Sequence, residues 1–338
     1  MAQEMKLITK KGFNWLGLGF FALVILTFIA AVSPFYYAVM TSFESGQQLI
    51  EPNYLPQLPK QDQYNIFIRS HPEDFVKVGA CDESLKCSNE NIENYMQSLD
   101  RWGKIKLTNK VLFKNYIFVF VQKKFYRNFA NSVLVATCTV VLAMILALTA
   151  SFALARISFK GRGAILMVIL SISTFPQVAI LSGMYQMVYY LDLFNDYKSL
   201  ILSYTVFTLP FTIWILTTFI RQIPVELEEA AIMDGANPLQ TLFRIFLPLL
   251  WPAIVTTGLL AFIGAWNEYL FALSFIIDTS HQTVTPVIAS LTAGTSRYEV
   301  AGGTIMAASV SITIPLIILV LIFQRKIVSG LTGGAIKG

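Results

Sequence analysis

Apolar residues form long unbroken runs along this chain, separated by shorter polar segments. An α-helix needs about 20 predominantly apolar residues to cross the roughly 30 Å hydrocarbon core of a bilayer, where no water satisfies an unpaired backbone group. Six runs meet that requirement. The pattern therefore predicts six transmembrane helices, at about residues 13–40, 131–154, 163–190, 200–220, 250–277 and 304–323.

The long polar segment between the first two runs, residues 41–129, is predicted to form a small extracytoplasmic domain. It is rich in Asp, Glu, Asn and Lys, and it contains Cys81 and Cys87. On an oxidising side of the membrane these two thiols can pair, and closing so short a loop would contribute about 2 kcal/mol to stability. Two free thiols remain the alternative on the sequence alone.

Composition agrees with a membrane protein. Of the 338 residues, 55% are hydrophobic and 13% are charged, whereas a soluble domain carries about 25% charged residues. An ordinary cytosolic enzyme is thereby excluded, and the 26 Phe and 14 Tyr exclude a disordered chain. The net charge of +5 includes no basic run of five residues, so no nucleic-acid partner is expected.

The positions of the basic residues predict the orientation. Short loops opposite the termini hold Lys198 and Arg297, whereas the segments on the side of the termini hold many more bases. By the positive-inside rule, both termini are cytoplasmic. We thus expect a cytoplasmic segment and first helix over 1–40, a transmembrane core over 130–325 and a cytoplasmic tail over 326–338. The bases on the terminal side are Lys6, Lys10, Lys11, Arg156, Lys160, Arg162, Arg221, Arg244, Arg325, Lys326 and Lys337.

The cytoplasmic loop 221–248 carries clear helix signals. Pro224 suits the first position of a helix, and three glutamates follow in its first turns, where the helix dipole favours negative charge. Gly235 can adopt the left-handed conformation that ends this helix, Asn237 can cap the next one, and Pro248 is expected to end it. The loop is predicted to project from the membrane as two short helices joined by a bend. The alternative is an amphipathic helix on the lipid headgroups, which the glutamates disfavour.

The spacing within this loop resembles a known signature. Glu229-Ala230-Ala231, then Gly235, then Ile245-Phe246-Leu247-Pro248 is similar to the signature loop of permease subunits of binding-protein-dependent ATP-binding-cassette importers. Phe152 to Arg156, Trp266 to Leu270 and the glycine-rich tail resemble the maltose and multiple-sugar branch of that family. The resemblance covers about 115–338 and the first span, and it is interrupted at about 60–107.

The resemblance implies an all-α polytopic membrane protein with six transmembrane helices and the type I importer permease fold, located in the bacterial cytoplasmic (inner) membrane. It also implies a second permease subunit in a heterodimer, two ATPase subunits and an extracytoplasmic solute-binding protein. ATP and Mg²⁺ would be used by the ATPase subunits, with no cofactor bound by this chain. The absence of a Gly-x-x-x-x-Gly-Lys-Ser/Thr loop from the sequence agrees with a transport subunit that is not an enzyme.

By the same resemblance, the solute is a sugar, either an oligosaccharide or a polyol. A non-sugar solute such as a glycerol phosphodiester or a polyamine remains the alternative. An ion-coupled secondary transporter is disfavoured, because the spans lack charged residues near mid-membrane. A membrane assembly protein that works through its outer domain is disfavoured by the uninterrupted signature.

The resemblance assigns the signature loop to coupling, with the helix from Glu229 to Gly235 seated in a cleft of one ATPase subunit. A rigid bend at Gly235 is needed if the loop is to move as one body. The residues assigned to ATPase coupling are Glu229, Ala230, Ala231, Asp234, Gly235, Ile245, Leu247 and Pro248.

Polar groups within the spans are candidates for lining the solute pathway. These are Gln177, Tyr185, Asn267 and Glu268. Glu268 would lie about 26 Å along a continuous helix from Trp251, near the outer membrane edge, where a structural role is as plausible as solute contact. Trp266, like Tyr189 and Tyr190, is assigned to the interfacial aromatic belt. No metal site is expected, because His71 and His281 have no cluster of ligands around them in the sequence.

Overall fold

The computed structural model of the protein describes residues 15–44, 58–293 and 302–333. Within these ranges the regular secondary structure is helical and includes no strand. The first 14 residues of the predicted cytoplasmic N-terminal segment and the last five of the predicted tail lie outside the described residues. In chain order the elements are α1 (Trp15–Ser42), α2 (Gln61–Ser70), α3 (Pro72–Val76), α4 (Asn89–Ser98), α5 (Arg101–Leu112), α6 (Lys114–Ile117), a π-helix (Phe118–Gln122), α7 (Phe125–Arg156), α8 (Arg162–Ser173), α9 (Gln177–Tyr190), α10 (Tyr197–Gln222), α11 (Glu226–Met233), α12 (Pro238–Thr241), a second π-helix (Leu242–Phe246), α13 (Leu247–Leu249), α14 (Trp251–Trp266), α15 (Leu270–Phe275), α16 (Val284–Ala293) and α17 (Gly302–Gly333).

Four of these helices, α1, α7, α10 and α17, are long and apolar enough to cross a membrane. Two bent pairs raise the number of candidate spans to six. The helices α8 and α9 meet at 95°, and the segment from α12 to α13 meets α14 at 82°. The third predicted span is therefore broken in its middle, and the second bend lies at the start of the fifth. Pro176 and Pro252 follow directly on the two bends, and proline cannot continue a preceding helix.

The fifth span also ends earlier than predicted. Its helix stops at Trp266, so the expectation of a continuous helix to Ile277 is wrong. The carboxylate of Glu268 accepts hydrogen bonds from the backbone N–H groups of Phe271 (2.9 Å) and Ala272 (3.2 Å), which start the separate helix α15. The polar pair Asn267-Glu268 separates α14 from α15. The hydropathy of the apolar run does not predict this break, because apolar residues continue on both sides of the pair.

Helices α7, α10 and α14 pack together as the centre of the membrane part. At one end, Arg156 of α7 donates a hydrogen bond to the carbonyl oxygen of Ile220 in α10 (2.9 Å). At the other end, the Tyr197 hydroxyl of α10 donates to the side chain of Asn131 in α7 (2.9 Å). The two helices thus run in the same direction, which means that the bent pair α8–α9 returns the chain once between them. The predicted topology likewise has the second and fourth spans crossing the membrane in the same direction.

Between the first two spans, α2 to α5 form a small helical subdomain. Two of its helices begin at side-chain caps: Ser88 accepts a hydrogen bond from the Asn91 N–H (3.1 Å), and Asp100 accepts one from the Gly103 N–H (2.7 Å). Such caps satisfy backbone donors that a helix leaves unpaired. Apolar side chains from all four helices and the connection after α3 form its core: Phe67, Ile68, Phe75, Ala80, Ile92, Leu107 and Val111.

The segment that follows this subdomain contacts the end of α1. The side-chain amide of Asn115 in α6 donates to the carbonyl oxygens of Ser42 (2.8 Å) and Glu44 (2.9 Å). The hydroxyls of Ser42 and Tyr116 lie 2.8 Å apart. These contacts satisfy carbonyl groups that the C-terminus of α1 leaves free.

A disulfide joins Cys81 to Cys87 in this subdomain. Cys81 is buried and belongs to the apolar core. Replacing Cys87 with serine is expected to destabilise the subdomain by about 2 kcal/mol, because the reduced chain gains the entropy of an open loop. Hydrogen exchange of the α4 amides should therefore accelerate, and dithiothreitol should do the same to the unaltered protein.

Cys138 on α7 is a free, exposed cysteine and supplies the control. The Cys138→Ser variant should leave exchange in α4 unchanged. Equal exchange rates in the oxidised protein and in the Cys87→Ser variant would contradict the stabilising role of this disulfide.

Candidate functional site

The predicted bend of the loop 221–248 is built by two adjoining caps. The Gly235 N–H donates to the carbonyl oxygen of Ile232 and the Ala236 N–H to that of Ala231, both at 2.9 Å, which is the Schellman arrangement that ends a helix. Gly235 has φ +78°, as this arrangement demands. The Asn237 side chain then accepts a hydrogen bond from the Gln240 N–H (2.8 Å), and Gln240 returns one to the Asn237 N–H. The joint between α11 and α12 is thus fixed in a single geometry.

Two details of this loop differ from the sequence prediction. α11 begins at Glu226, so Pro224 lies before the helix instead of at its first position. Pro248 does not end the second helix either, because the helical path continues through Leu249. The π-helix ahead of Pro248 explains why: the Leu247 N–H bonds to the carbonyl oxygen of Leu242, five residues earlier, so the backbone has already left the α-helical pattern that proline disrupts.

The residues assigned to coupling divide into an outer and an inner set. Ala231 is buried and Ile245 and Leu247 are partly buried, and the last two pack against an apolar cluster inside the chain. The rest are exposed on the surface of the loop: Glu229, Ala230, Asp234, Gly235 and Pro248. Ala230 and Ala231 are therefore not equivalent, because adjacent helical residues point about 100° apart.

Large apolar side chains project from the same surface. Met233 is 87% exposed, and Ile232 and Leu239 are also exposed. They surround the Gly235 bend, and the exposed carboxylates of Glu229 and Asp234 lie beside them in sequence. Apolar side chains with acidic neighbours on a loop outside the apolar spans form a surface suited to a protein partner that supplies an apolar groove and basic groups.

Arg156 connects this loop to the membrane helices. Its side chain is 7% exposed, and its guanidinium donates to the carbonyl oxygens of Ile220 (2.9 Å) and Ile223 (2.6 Å) at the end of α10. Its Nε lies 3.4 Å from a carboxylate oxygen of Glu228 on α11, and the guanidinium carbon lies 5.0 Å from the centroid of the Phe246 ring. One side chain thereby contacts α10, α11 and the second π-helix.

From the sequence, Arg156 was used only to predict the orientation of the chain in the membrane. The available signal was an arginine that ends an apolar span, together with three glutamates in a loop on the same side of the membrane. Which glutamate it would meet depends on the fold, because Arg156 and Glu228 are far apart in sequence.

The loop is also packed against the membrane helices through apolar contacts. Leu242 and Phe246 of the second π-helix, together with Leu250, are buried against Phe152 of α7 and Ile220 of α10. The rings of Phe152 and Phe246 meet edge to face at 5.3 Å. Displacement of the loop must therefore displace the ends of α7 and α10, because a packed core transmits strain instead of absorbing it.

Two of the pathway candidates lie on α9. Gln177 opens this helix just after the 95° bend and is exposed. Tyr185 is exposed, and its ring lies 4.7 Å from that of Phe194. Tyr185 borders an open concavity of about 720 Å³. The other residues that line it are Gly183, Gln186, Met187, Tyr189 and Tyr190.

The other two candidates follow the end of α14. Asn267 is exposed, and its side chain donates to the carbonyl oxygen of Ile263 (3.0 Å). The Glu268 carboxylate is engaged with the start of α15, as described above, and its backbone carbonyl accepts a hydrogen bond from Thr285. Trp266 is 1% exposed and stacks on Phe262, so its assignment to the interfacial aromatic belt is wrong.

A network of asparagine side chains lies at the opposite end of the membrane part. The sequence did not predict these contacts. The Asn128 amide donates to the carbonyl oxygens of Thr279 (2.7 Å) and Gln282 (2.8 Å). Asn131 donates to the Gln282 carbonyl as well (3.1 Å). The side chain of Asn195 accepts from the N–H groups of residues 277 and 278. These contacts fix the segment between α15 and α16 to the first turns of α7 and α10.

Comparison with known proteins decides what this loop belongs to. Residues 139–333 match the family described as "Binding-protein-dependent transport system inner membrane component". This chain belongs to that family. The permease is therefore a multi-pass component of the inner membrane.

Individual relatives agree with the family. The trehalose transport system permease protein SugB of Mycobacterium tuberculosis is 40% identical over 236 residues, covering 70% of the permease and 85% of SugB. The trehalose/maltose transport system permease protein MalG of Thermococcus litoralis is 43% identical over 208 residues, covering 62% and 74%. The inner membrane ABC transporter permease protein YcjP of Escherichia coli is 30% identical over 323 residues, covering 95% and 96%.

A solved structure supports the fold. A chain of a bacterial ABC transporter involved in the import of the acidic polysaccharide alginate superimposes with a TM-score of 0.63, covering 94% of the permease and 98% of that chain at 19% identity. The predicted type I importer permease fold is confirmed. The protein is a transport subunit of an ATP-binding-cassette importer and is not an enzyme.

Proposed function

We propose that this permease imports a sugar, either an oligosaccharide or a polyol. Relatives are named as permeases for trehalose, trehalose/maltose, sulfoquinovosyl glycerol and diacetylchitobiose. All of these solutes are sugars or glycosides, which favours a carbohydrate over a glycerol phosphodiester or a polyamine.

The proposed assembly contains a second permease subunit, two ATPase subunits that use ATP and Mg²⁺, and an extracytoplasmic solute-binding protein. The described part of α8 contains no buried residue, and Met167 and Val168 on it are largely exposed. A broad apolar face of this kind suits lipid or the second permease. We assign both termini and the signature loop to the cytoplasm, since the bases at that end of α7 and α10, including Arg156, Arg162 and Arg221, follow the positive-inside rule.

The observation that carries the coupling proposal is the exposed apolar surface around Gly235, on a loop that is rigidly attached to the membrane helices. The surface would bind a cleft of one ATPase subunit through Ile232, Met233 and Leu239. Closure of the ATPase pair on ATP would move α11 to α13 as one body. Arg156 and the packing of Phe246 would transfer that displacement to α7 and α10, which then switch the pathway between inward and outward access.

For the pathway, Gln177, Tyr185 and Asn267 offer amide and phenol groups of the kind that hydrogen-bond sugar hydroxyls. The exposed ring of Tyr185 can also stack on an apolar sugar face. We propose a positioning role for Glu268 instead of solute contact, because its carboxylate already accepts two backbone hydrogen bonds.

The assembly is tested by co-purification from detergent-solubilised membranes. The unaltered permease should bring down an ATPase and a second permease. A Met233→Glu variant should lose most of the ATPase, because a buried carboxylate without a partner is strongly unfavourable in an apolar groove. A weaker loss is expected for Glu229→Ala at the edge of the same surface.

The matched control is Val78→Glu, which places the same charge on an exposed apolar position of the outer subdomain. It should leave recovery of the ATPase unchanged. A permease that purifies alone and moves solute in liposomes without ATP would overturn the assembly. The solute itself is tested by ATP-dependent uptake of radiolabelled trehalose and maltose against glycerophosphocholine and spermidine in proteoliposomes.

A further inference from the structure

Charge is divided unevenly along the outer subdomain and the segment that follows it. Residues 58–100 contain eight acidic and four basic residues. Residues 101–127 contain no acidic residue at all. This second stretch comprises α5 and the connection to the membrane helix α7. Its basic residues are Arg101, Lys104, Lys106, Lys110, Lys114, Lys123, Lys124 and Arg127.

Helix α5 has two apolar faces. Leu107 and Val111 on one face are buried in the core of the subdomain. On the opposite face Trp102 is 76% exposed and Ile105 is 43% exposed. With about 100° between successive residues, Trp102, Ile105 and Asn109 fall in one sector directly opposite Leu107. An exposed tryptophan at such a position contributes nothing to the core.

The basic side chains of α5 border this outward apolar sector. By the same helical rotation, Lys106 and Lys110 lie along one edge of it, and Arg101 and Lys104 lie along the other. All four are exposed. Apolar side chains flanked on both sides by Lys and Arg are typical of helices that lie in a membrane interface, where the long basic side chains reach the phosphates and their stems cover apolar surface.

The chain itself keeps this helix near a membrane. Only residues 113–124 separate the end of α5 from α7, which is one of the spans. Val121 and Tyr126 at this junction are exposed as well. Aromatic residues next to a span favour the headgroup region, so Tyr126 marks the edge of the membrane only a short stretch of chain after α5.

We propose that the outward face of α5 binds an anionic phospholipid surface. Lys104, Lys106 and Lys110 contact lipid phosphates, and Trp102 and Ile105 enter the headgroup region. The arrangement would hold the outer subdomain down on the membrane. An acidic protein would satisfy the lysines, but the apolar sector bordered by bases on both edges and the short link to a span favour lipid.

The test uses the full-length permease in lipid nanodiscs of two compositions, phosphatidylcholine alone and equal parts phosphatidylcholine and phosphatidylglycerol. Hydrogen exchange of the α5 amides should be slower in the anionic discs, on the order of fivefold for each basic side chain held at the surface. The fluorescence of Trp102 is identified by comparison with the Trp102→Phe variant. Lipids brominated near the headgroup should quench this fluorescence. Exchange of α4 amides reports that the subdomain stays folded.

A triple variant, Lys104→Gln with Lys106→Gln and Lys110→Gln, should abolish the difference between the two lipid compositions. The matched control changes three exposed lysines elsewhere in the subdomain, Lys60, Lys77 and Lys86, to glutamine and should keep the difference.

Equal α5 exchange in both compositions, an unquenched Trp102 or an equal effect of the control triple would overturn the proposal. Protection of α5 only after the solute-binding protein is added would also overturn it and assign this face to that protein. None of these outcomes depends on whether the permease carries a sugar.

Discussion

A valine at position 235 is expected to uncouple ATP turnover from solute uptake while membrane insertion stays intact. Gly235 has φ +78°, a conformation that costs a residue with a side chain about 1–2 kcal/mol. An added Cβ would meet no atom within 4 Å, so the Cβ adds no clash to this backbone strain. The strain is relieved by opening the bend between α11 and α12, which misplaces the surface around Met233.

Since each 1.4 kcal/mol changes an equilibrium about tenfold, uptake should fall by roughly tenfold. The measurement is solute taken up per ATP hydrolysed in proteoliposomes that contain the whole assembly. Uptake per ATP should fall in the Gly235→Val variant, whereas the amount of permease inserted in the membrane should not.

Two variants separate the bend from general strain. Asparagine tolerates the left-handed conformation, so Gly235→Asn should keep most of the uptake. Gly161, at the start of α8, has φ +93° and equally open surroundings, but it lies outside the signature loop. Gly161→Val should therefore leave uptake per ATP near its normal value. An equal loss in both valine variants would show that the bend at Gly235 has no special part in coupling.

Replacement of Arg156 by alanine is expected to weaken coupling at the other end of the loop. The carbonyl oxygens of Ile220 and Ile223 lose their donor, and the partly buried Glu228 carboxylate loses its cation. Removing one member of a buried ion pair costs about 3–5 kcal/mol. Because Glu228 is partly exposed, the lower end of that range applies. The ATPase can still bind the loop, but its movement reaches α10 less completely.

The measurement that identifies a positioning role is the solute dependence of ATP hydrolysis. Arg156→Ala should retain ATP hydrolysis but lose most of its stimulation by solute and binding protein, a change that a uniform loss of stability does not produce. Lysine should restore stimulation only in part, because it has the charge without the planar fork of donors. The matched control is Arg162→Ala, an exposed arginine in the connection that follows Arg156.

A double-mutant cycle tests the contact itself. If Arg156 acts through Glu228, the loss in Glu228→Gln and that in Arg156→Ala should be less than additive when combined. Full additivity would contradict this pairing, and normal stimulation in Arg156→Ala would contradict the positioning role.

Much of the fold could be predicted from the sequence, because it depends on interactions within short stretches of chain. Long apolar runs predict spans because the bilayer imposes one length requirement on all of them. The two caps around Gly235 and Asn237 are equally local, since each depends on residues within five positions. The helix boundaries were less exact. Pro224 lies before α11, and a π-helix, which leaves no simple signal in the sequence, carries the helical path past Pro248.

Contacts between residues that are distant in the sequence could not be predicted from it. Trp266 resembles an interfacial aromatic residue in sequence, and only its packing against Phe129 and Phe262 shows it to be buried. Ala230 and Ala231 are assigned the same role by the signature, yet one is exposed and the other is buried. The asparagine side chains at the starts of α7 and α10 find their partners only once α15 and α16 are in place.

The sequence by itself determined the membrane class, the six spans, the bend at Gly235 and the family, because hydropathy, caps and a fixed motif spacing act within short stretches of chain. The tertiary structure decided that Arg156 connects α10 to α11, that Trp266 is buried, and that α5 presents Trp102 outward between its bases. Each of these depends on which helices pack against which, and that choice follows from the packing of the whole chain.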